Sequence, residues 1–196
     1  ISYSSDSYAD AVKNNTNSTM KNTLDTWYKN NLTKDASYLA DETFCNDRSV
    51  TGGSGYLTTP TTYYGAFNRL YNKKTPSLKC AQDNDKFKVS NASAKLYYPI
   101  SLITADEVAM AGGVYNTPNS NYYLYNGQYF WTLSPSGFHS NYSLAHVWSV
   151  LPSGGLFGWI SVTSSFGTRP VINLKADTQI TKGDGTALNP YVVSIS

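Results

Sequence analysis

The alternation of apolar and polar positions is most regular in the second half of the chain. Residues 156–162 alternate with a period of two, which is typical of a strand that buries one face. The face that we predict to be buried carries Leu156, Ile160 and Val162. The opposite face carries Phe157, Trp159 and Ser161. We therefore predict a strand with one core side and one exposed aromatic rim.

A first amphipathic helix is predicted near the start of the chain, with Ser18 or Thr19 as its N-cap. Its apolar positions recur near helical spacing at Met20, Leu24, Trp27 and Leu32. This pattern predicts a helix of about three turns that packs on a sheet.

A second, shorter helix is bounded by its own capping residues. Thr104 and Glu107 form a T-x-x-E capping box, and Gly112 or Gly113 supplies the C-terminal stop. Asp106 and Glu107 also complement the positive end of the helix dipole. These acids could be taken for catalytic groups, but capping accounts for Glu107, and we assign it that role.

The remaining segments are mostly strands and loops. The pattern predicts strands at 86–89, 96–100, 122–125, 130–133, 145–151, 156–162, 170–174 and 191–195. Turn residues lie between them at Asn126-Gly127 and Gly183-Asp184-Gly185. Residues 46–65, rich in Gly and Thr, are predicted to be a long irregular loop.

Length and charge limit the classes of function. A chain of 196 residues fits one domain with a good core. The net charge is +2 and there is no block of Lys or Arg, so nucleic acid and anionic membranes have no electrostatic reason to bind. Seventeen tyrosines, with abundant Asn, Ser and Thr, favour a secreted or surface-displayed bacterial protein.

The sequence also bears on membrane attachment. No apolar run reaches the roughly 18 residues needed to cross a bilayer, and no signal peptide is present. Because the chain begins at Ile1, we expect a trimmed ectodomain that met the membrane only through an anchor absent from this chain.

The two cysteines, Cys45 and Cys80, lie 35 residues apart without a CxxC motif or a neighbouring His. A metal site is therefore disfavoured. We expect a disulfide, with two free buried thiols as the alternative. The closed loop would contribute about 3–4 kcal/mol by the chain-entropy estimate.

The candidate binding face is residues 136–168. No Asp, Glu, Lys or Arg occurs between Trp131 and Thr168, where aromatic residues alternate with Ser, Gly, Asn and Thr. This composition is typical of antibody-type contact surfaces. The alternative is a pair of buried strands with polar turns. The candidate ligand-binding residues are Phe138, His139, Ser140, Asn141, Tyr142, Ser143, Leu144, His146, Ser149, Leu151, Phe157, Trp159, Ser161, Thr163, Ser164, Ser165 and Phe166.

Two motifs resemble those of a known family. LITADEVAMAGG at 102–113 and GTRPVINL at 167–174 resemble the helix and closing strand of formylglycine-generating-enzyme-type domains. The resemblance implies an α+β, C-type-lectin-like fold with two main helices, small antiparallel sheets and long irregular loops. It would form one domain over 19–196, after a polar segment or short helix at 1–18. Residues 28–193 also resemble a bacterial surface domain found behind a pilin-like helix.

The residues of the related enzymes are missing. Formylglycine-generating enzymes hold copper with two C-terminal-half cysteines, and no cysteine follows Cys80. Related iron enzymes use several His, and only His139 and His146 occur. The calcium motifs of sugar-binding C-type lectins, Glu-Pro-Asn and Trp-Asn-Asp, are absent, as is a G-x-S-x-G elbow. We therefore expect no enzyme activity, no cofactor and no metal.

Residues 136–168 also resemble the variable region of proteins diversified by retroelements, in which template adenines are mutated. An Asn codon altered only in its first two bases cannot become Lys, Glu, Gln, Met or Trp. The segment has no Lys, Glu, Gln or Met, and its tryptophans, Trp148 and Trp159, would be encoded by other template codons.

Three functions fit these observations. The first is a surface-displayed module whose 136–168 face binds a protein or glycan ligand. The alternative is a structural subunit of a pilus-like appendage that uses this face for assembly. The third is a catalytically inactive relative of formylglycine-generating enzymes.

Overall fold

The computed structural model describes residues 13–53, 61–139, 144–186 and 188–195, which form a mixed α/β domain with few helices and antiparallel sheets. Residues 1–12 of the predicted N-terminal segment lie outside the described residues. Residues 13–18, which complete that segment, are neither helix nor strand.

The helices are short. They are α1 (Thr19–Asn31), α2 (Gly65–Phe67) and α3 (Ala105–Ala111). The α2 turn continues directly as a π-helix over Asn68–Lys73, and 3₁₀ turns occur at Thr33–Tyr38 and Asp83–Asp85. Among the described residues, no helix is long and apolar enough to span a membrane.

The strands form one large sheet and three small ones. They are β1 (Phe44–Cys45), β2 (Val50–Gly52), β3 (Thr61–Tyr64), β4 (Lys86–Phe87), β5 (Ser101–Leu102), β6 (Phe130–His139), β7 (Leu144–Val150), β8 (Leu156–Ser161), β9 (Pro170–Val171), β10 (Thr178–Lys182) and β11 (Val192–Ile195). The large antiparallel sheet has the order β2-β3-β6-β7-β8. The pairs β1-β4, β5-β9 and β10-β11 are separate antiparallel ribbons.

The large sheet has a hydrophobic cluster on each face, because consecutive strand residues point to opposite sides. Phe130 belongs to one cluster and Trp131 to the other. The first cluster contains Ala66, Phe67, Leu70, Ala105, Val108, Phe130, Trp148, Val150 and Leu156. The second contains Leu24, Tyr28, Leu39, Ile100, Leu102 and Trp131. Helices α2 and α3 therefore cover one face, and α1 covers the other.

The first predicted helix is confirmed as α1. The Ser18 hydroxyl accepts a hydrogen bond from the Lys21 amide at 3.1 Å, which satisfies one of the unpaired amides of the first turn. The predicted buried face was wrong at Trp27, which is 41% exposed. Tyr28 is buried instead and stacks on Tyr98 at 4.6 Å, so the packed stripe lies one position further along the helix.

The predicted capping box of α3 is confirmed. The Glu107 amide donates to Thr104 Oγ1 at 3.1 Å, and the Thr104 amide donates to Glu107 Oε2 at 2.8 Å. The helix ends at Gly112, whose φ of 124° is open only to glycine without strain. Asp106 does more than complement the dipole, since its carboxylate is buried and ion-paired with Arg69.

The strand predictions are confirmed for β7, β8 and β11, and in part for β4 and the start of β6. Residues 96–100 and 122–125 form no strand, and 170–174 is a strand only at β9. The predicted loop at 46–65 contributes β2 and β3 to the large sheet. The alternation of apolar and polar residues did not reveal these strands, because β2 has three residues and β3 has four, too few to show a clear period.

The expected disulfide is confirmed: Cys45 and Cys80 are bonded, with their Cα atoms 5.8 Å apart. It links β1 to the segment that follows the π-helix. Such bonds persist in oxidising compartments, which is consistent with an extracellular protein.

We predict that the two neighbouring acids of α3 differ sharply in their effect on stability. Asp106→Asn should lower the free energy of unfolding by about 3 kcal/mol, because it leaves the half-buried Arg69 guanidinium short of a countercharge. Glu107→Gln should change it by less than about 0.5 kcal/mol, because Gln can complete a capping box. Urea unfolding monitored by circular dichroism measures both, and equal effects would contradict the buried ion pair.

Candidate functional site

An aromatic cleft of about 440 Å³ lies on the α2 side of the large sheet. We call it the aromatic cleft. Its lining residues come from β2, β3, the α2 and π-helix segment, the α3–β6 connection and β8: Thr51, Gly52, Tyr63, Phe67, Tyr71, Asn72, Tyr115 and Trp159. Five of these eight residues are aromatic, and none is Asp, Glu, Lys or Arg.

Three of the rings form a stack along one wall. Phe67 lies between Tyr63 and Tyr71, with ring centroids 4.6 Å and 4.9 Å away and interplanar angles of 36° and 24°. Phe67 and Tyr71 are four residues apart on a helical segment, which places them on one side of it. Phe67 is 6% exposed and Tyr71 is 45% exposed, so the stack runs from the core into the cleft.

Trp159 reaches the stack from the opposite edge of the sheet. β8 has one more residue than β7 between the pairs Val147–Ile160 and Ser149–Phe157, and this bulge changes the direction of the side chains. The indole therefore lies on the α2 side, edge-on to Tyr63 at 5.7 Å.

Gly137 on β6 makes room for that indole. A Cβ at Gly137 would lie 3.4 Å from the six-membered ring of Trp159 and 2.7 Å from the carbonyl oxygen of Thr62. The absence of a side chain therefore lets Trp159 cross the sheet surface and close the cleft against β3.

Tyr115 forms the other end of the cleft. Its backbone bridges to Leu156 beside β8, and its ring meets Tyr71 edge-on at 4.9 Å. Phe157 stacks on its outer side at 6.1 Å. Burial, with the Tyr71 hydroxyl as a second cause, raises the pKa of Tyr115, so its phenol stays protonated and able to donate.

An ion-pair network behind the cleft holds the helical segment in place. Arg69 donates from Nε and Nη2 to the two Asp106 oxygens at 2.7 and 2.8 Å, and from Nη1 to Asp47 at 2.6 Å. Burial alone lowers the pKa of Arg69, but the contacts with Asp106 and Asp47 outweigh burial and raise it above its ordinary value. These acids are therefore engaged in structure, as is the capping residue Glu107.

Several predicted ligand-binding residues are buried, and they present little or no surface to a ligand in this structure. Phe138 is 1% exposed, Ser149 is fully buried and His146 is 8% exposed. They lie in β6 and β7, two of the three inner strands of the sheet, which has helices packed on both faces. Phe166 is partly buried, but it packs on Trp131 at 4.8 Å on the α1 side, away from the aromatic cleft.

The predicted alternation of β8 was also wrong. Leu156 lies in the α2-side cluster, whereas Ile160 packs against the α1-side cluster. The bulge explains the difference, because one extra residue reverses the faces beyond it. Trp159 and Phe157, predicted to be an exposed rim, are half-buried.

The remaining predicted residues divide by position. Thr163, Ser164 and Ser165 form an exposed turn after β8, while Ser161, His139, Leu144 and Leu151 are half-buried. Four candidates lie outside the described residues: Ser140, Asn141, Tyr142 and Ser143. His139, Leu144 and Ser161 share one end of the sheet, because His146 pairs with Ser161 and His139 with Leu144. We call this region, with the 163–165 turn, the sheet end.

Most of the aromatic cleft was missed by the sequence interpretation. Tyr63, Phe67, Tyr71 and Tyr115 all lie outside 136–168, and the first of them was assigned to a loop. A signal was present, since 63, 67 and 71 are spaced by four residues, as on one side of a helix.

The part of the chain that the structure describes contains no cluster of side chains that could bind a metal ion. No group of three or more His, Cys, Asp or Glu comes together there, and both cysteines are in the disulfide. His146 instead contacts Trp159 edge-to-face at 5.2 Å, and its Nδ1 has no hydrogen-bond partner among the described residues.

We predict that His146 makes the fold sensitive to mild acid. Burial, and then the charge of His139, lowers the pKa of His146 below its ordinary value of 6.5. Below about pH 6.5 the His146 side chain of the unfolded chain binds a proton, whereas that of the folded chain stays neutral to lower pH. The free energy of unfolding therefore decreases as the pH is lowered. His146→Phe should remove this component. Urea unfolding between about pH 7.5 and 5.5 measures the slope; the same slope in both proteins would contradict the assignment.

Comparisons with models of protein families, with curated proteins and with solved structures found no match to this chain.

Proposed function

We propose that this chain is a surface-displayed ligand-binding domain with a C-type-lectin-like fold, and that a protein or glycan ligand contacts the aromatic cleft. The observation that carries the proposal is the cleft itself: about 440 Å³ of space lined by five aromatic rings, with Tyr71 45% exposed. Clefts of roughly 300–1,000 Å³ with mostly apolar, aromatic linings are typical of ligand sites.

The cleft is held in a binding-ready form. Its rings contact one another at centroid distances of 4.6 to 5.7 Å, and the Arg69 network fixes the segment that carries Phe67 and Tyr71. A ligand therefore finds side chains that have already lost their conformational freedom. This preorganisation lowers the entropy cost of binding.

The fold assignment is supported by the two motifs of the resemblance. The segment 102–113 includes α3 with its capping box, and 167–174 includes β9, which pairs with β5. The bridge between Leu39 and Leu174 also ties the C-terminal part to the N-terminal half. Surface display is supported by the disulfide and by the scarcity of charged residues.

Retroelement diversification would act mainly at the sheet end. Its turn at 163–165 is exposed, whereas Phe138 and Ser149 are buried and would tolerate few replacements. We predict a near-copy of the codons for 136–168 close to the coding region, differing chiefly at template adenines. Sequencing the flanking DNA tests this, and a repeat with mismatches at all four bases would remove the idea.

The binding proposal predicts that ligands depend on the cleft. Hits from a glycan array and from a displayed peptide library should be weakened about tenfold or more by Tyr71→Ala and by Trp159→Ala, as for central aromatic contacts. Tyr97→Ala is the matched control, because Tyr97 is 76% exposed and does not line the cleft. Hits that respond equally to all three variants would refute the cleft as the site.

Sedimentation of the unliganded protein distinguishes a ligand-binding module from a structural subunit of a pilus-like appendage. A ligand-binding module should remain one species as its concentration rises. Concentration-dependent assembly that Tyr71→Ala abolishes would assign the same surface to contacts between copies of the chain.

A further inference from the structure

The aromatic cleft offers hydrogen-bond donors but few other polar groups. Thr51 Oγ1 already bonds the carbonyl oxygen of Tyr64 at 3.2 Å, and the Asn72 amide donates to Asn68 at 3.2 Å. What remains are the hydroxyls of Tyr63, Tyr71 and Tyr115, the indole N–H of Trp159, and the second N–H and the oxygen of the Asn72 amide, all on side chains that line the cleft. A matching ligand is uncharged, largely apolar, and presents acceptors.

This donor set disfavours a sugar. Each sugar ring buries several hydroxyls, and every hydroxyl that loses water without a new partner costs binding free energy. Three phenols, one indole and one amide offer fewer partners than the hydroxyls of two sugar rings require.

The ring packing likewise disfavours a cation. Cation–π binding needs open ring faces within about 6 Å of the charge. Phe67 lies between Tyr63 and Tyr71, so its ring faces are covered by its neighbours.

A proline-rich segment has the complementary properties. Proline presents an apolar ring and has no backbone N–H that would be buried without a partner. In the polyproline II conformation the carbonyl oxygens make no internal hydrogen bonds and are free to accept. The conformation also exists before binding, so little entropy is lost, and aromatic-lined grooves are a known way to recognise it.

The spacing of the rings sets a register. The cleft has two right-angled corners, one between Tyr63 and Trp159 at 82° and one between Tyr71 and Tyr115 at 85°. Tyr63 and Tyr71 are joined through Phe67 by steps of 4.6 and 4.9 Å. A polyproline II helix repeats every three residues, which is about 9 Å. The rings of Tyr63 and Tyr71, which each form one side of a corner, are therefore at most about 9.5 Å apart, close to one repeat.

We propose that the aromatic cleft binds a proline-rich peptide in the polyproline II conformation, with prolines three residues apart in the two corners. This inference rests on the proposed ligand-binding function and names the ligand class. The phenols and the indole donate to the carbonyl oxygens between the two prolines.

The test uses two synthetic peptides of identical composition on the whole chain. In one the prolines repeat every three residues, and in the other every two residues. Titration followed by tryptophan fluorescence and by calorimetry should give binding of the first peptide that is at least about tenfold tighter, since only it places a proline in each corner. Equal affinity of the two peptides would overturn the two-corner register.

Variants locate the binding. Tyr71→Ala should weaken the three-residue peptide by about tenfold or more, and Tyr97→Ala should leave it unchanged. Because Tyr71 is 45% exposed, its replacement should leave the fold intact, and Trp159→Phe provides a second variant that keeps a ring in its corner. Binding unaffected by Tyr71→Ala would overturn the proposal.

Two further probes separate this inference from the proposed function. If tetramethylammonium or a neutral oligosaccharide binds, if Tyr71→Ala abolishes that binding, and if the peptides do not bind, the proline-rich ligand is wrong and the cleft remains a binding site. If none of the probes binds and the glycan and peptide screens yield no cleft-dependent hit, both proposals fail.

Discussion

The geometry around the aromatic cleft depends on one half-buried cation. Arg69 points from the helical segment 65–73 away from the aromatic cleft and pairs with Asp106 on α3 and with Asp47 before β2. Separating such a pair would leave a charge in a poorly solvated site, at a cost of about 3–5 kcal/mol. Three distant parts of the chain are therefore held together at one guanidinium, and the opposite side of the same segment presents Phe67 and Tyr71.

Two glycines leave the space that this arrangement needs. A Cβ at Gly65 would lie 2.2 Å from Asp47 Oδ2 and 2.9 Å from Arg69 Nη1, so the network forms only because residue 65 has no side chain. Gly137 has the same role on the sheet, where its open surface receives the indole of Trp159. One glycine permits the ion pairs behind the cleft, and the other permits the ring contact that closes it.

The sequence predicted correctly those features that depend on only a few residues, namely helix caps and a disulfide. The cap at Ser18, the box of Thr104 and Glu107, and the pairing of Cys45 with Cys80 all occur as expected. The cleft could not be predicted in the same way, because its rings come from three separate parts of the chain, at 63–71, 115 and 159. The position of Trp159 was not predicted either, because strict alternation along a strand assumes that the strand contains no bulge, and β8 contains one. Burial of Phe138 was missed because composition does not distinguish an inner strand from a contact loop.

The two parts of the candidate surface differ in what change they tolerate. The rings of the aromatic cleft support one another and the core, since Phe67 also contacts Trp148 at 6.4 Å. Among the described residues, the exposed turn at 163–165 is held by local hydrogen bonds, such as the one between the Ser161 and Thr163 hydroxyls at 2.8 Å. A binding domain built this way would take its affinity from the constrained cleft. It would take its discrimination between ligands from the sheet end, where replacements leave the fold unchanged.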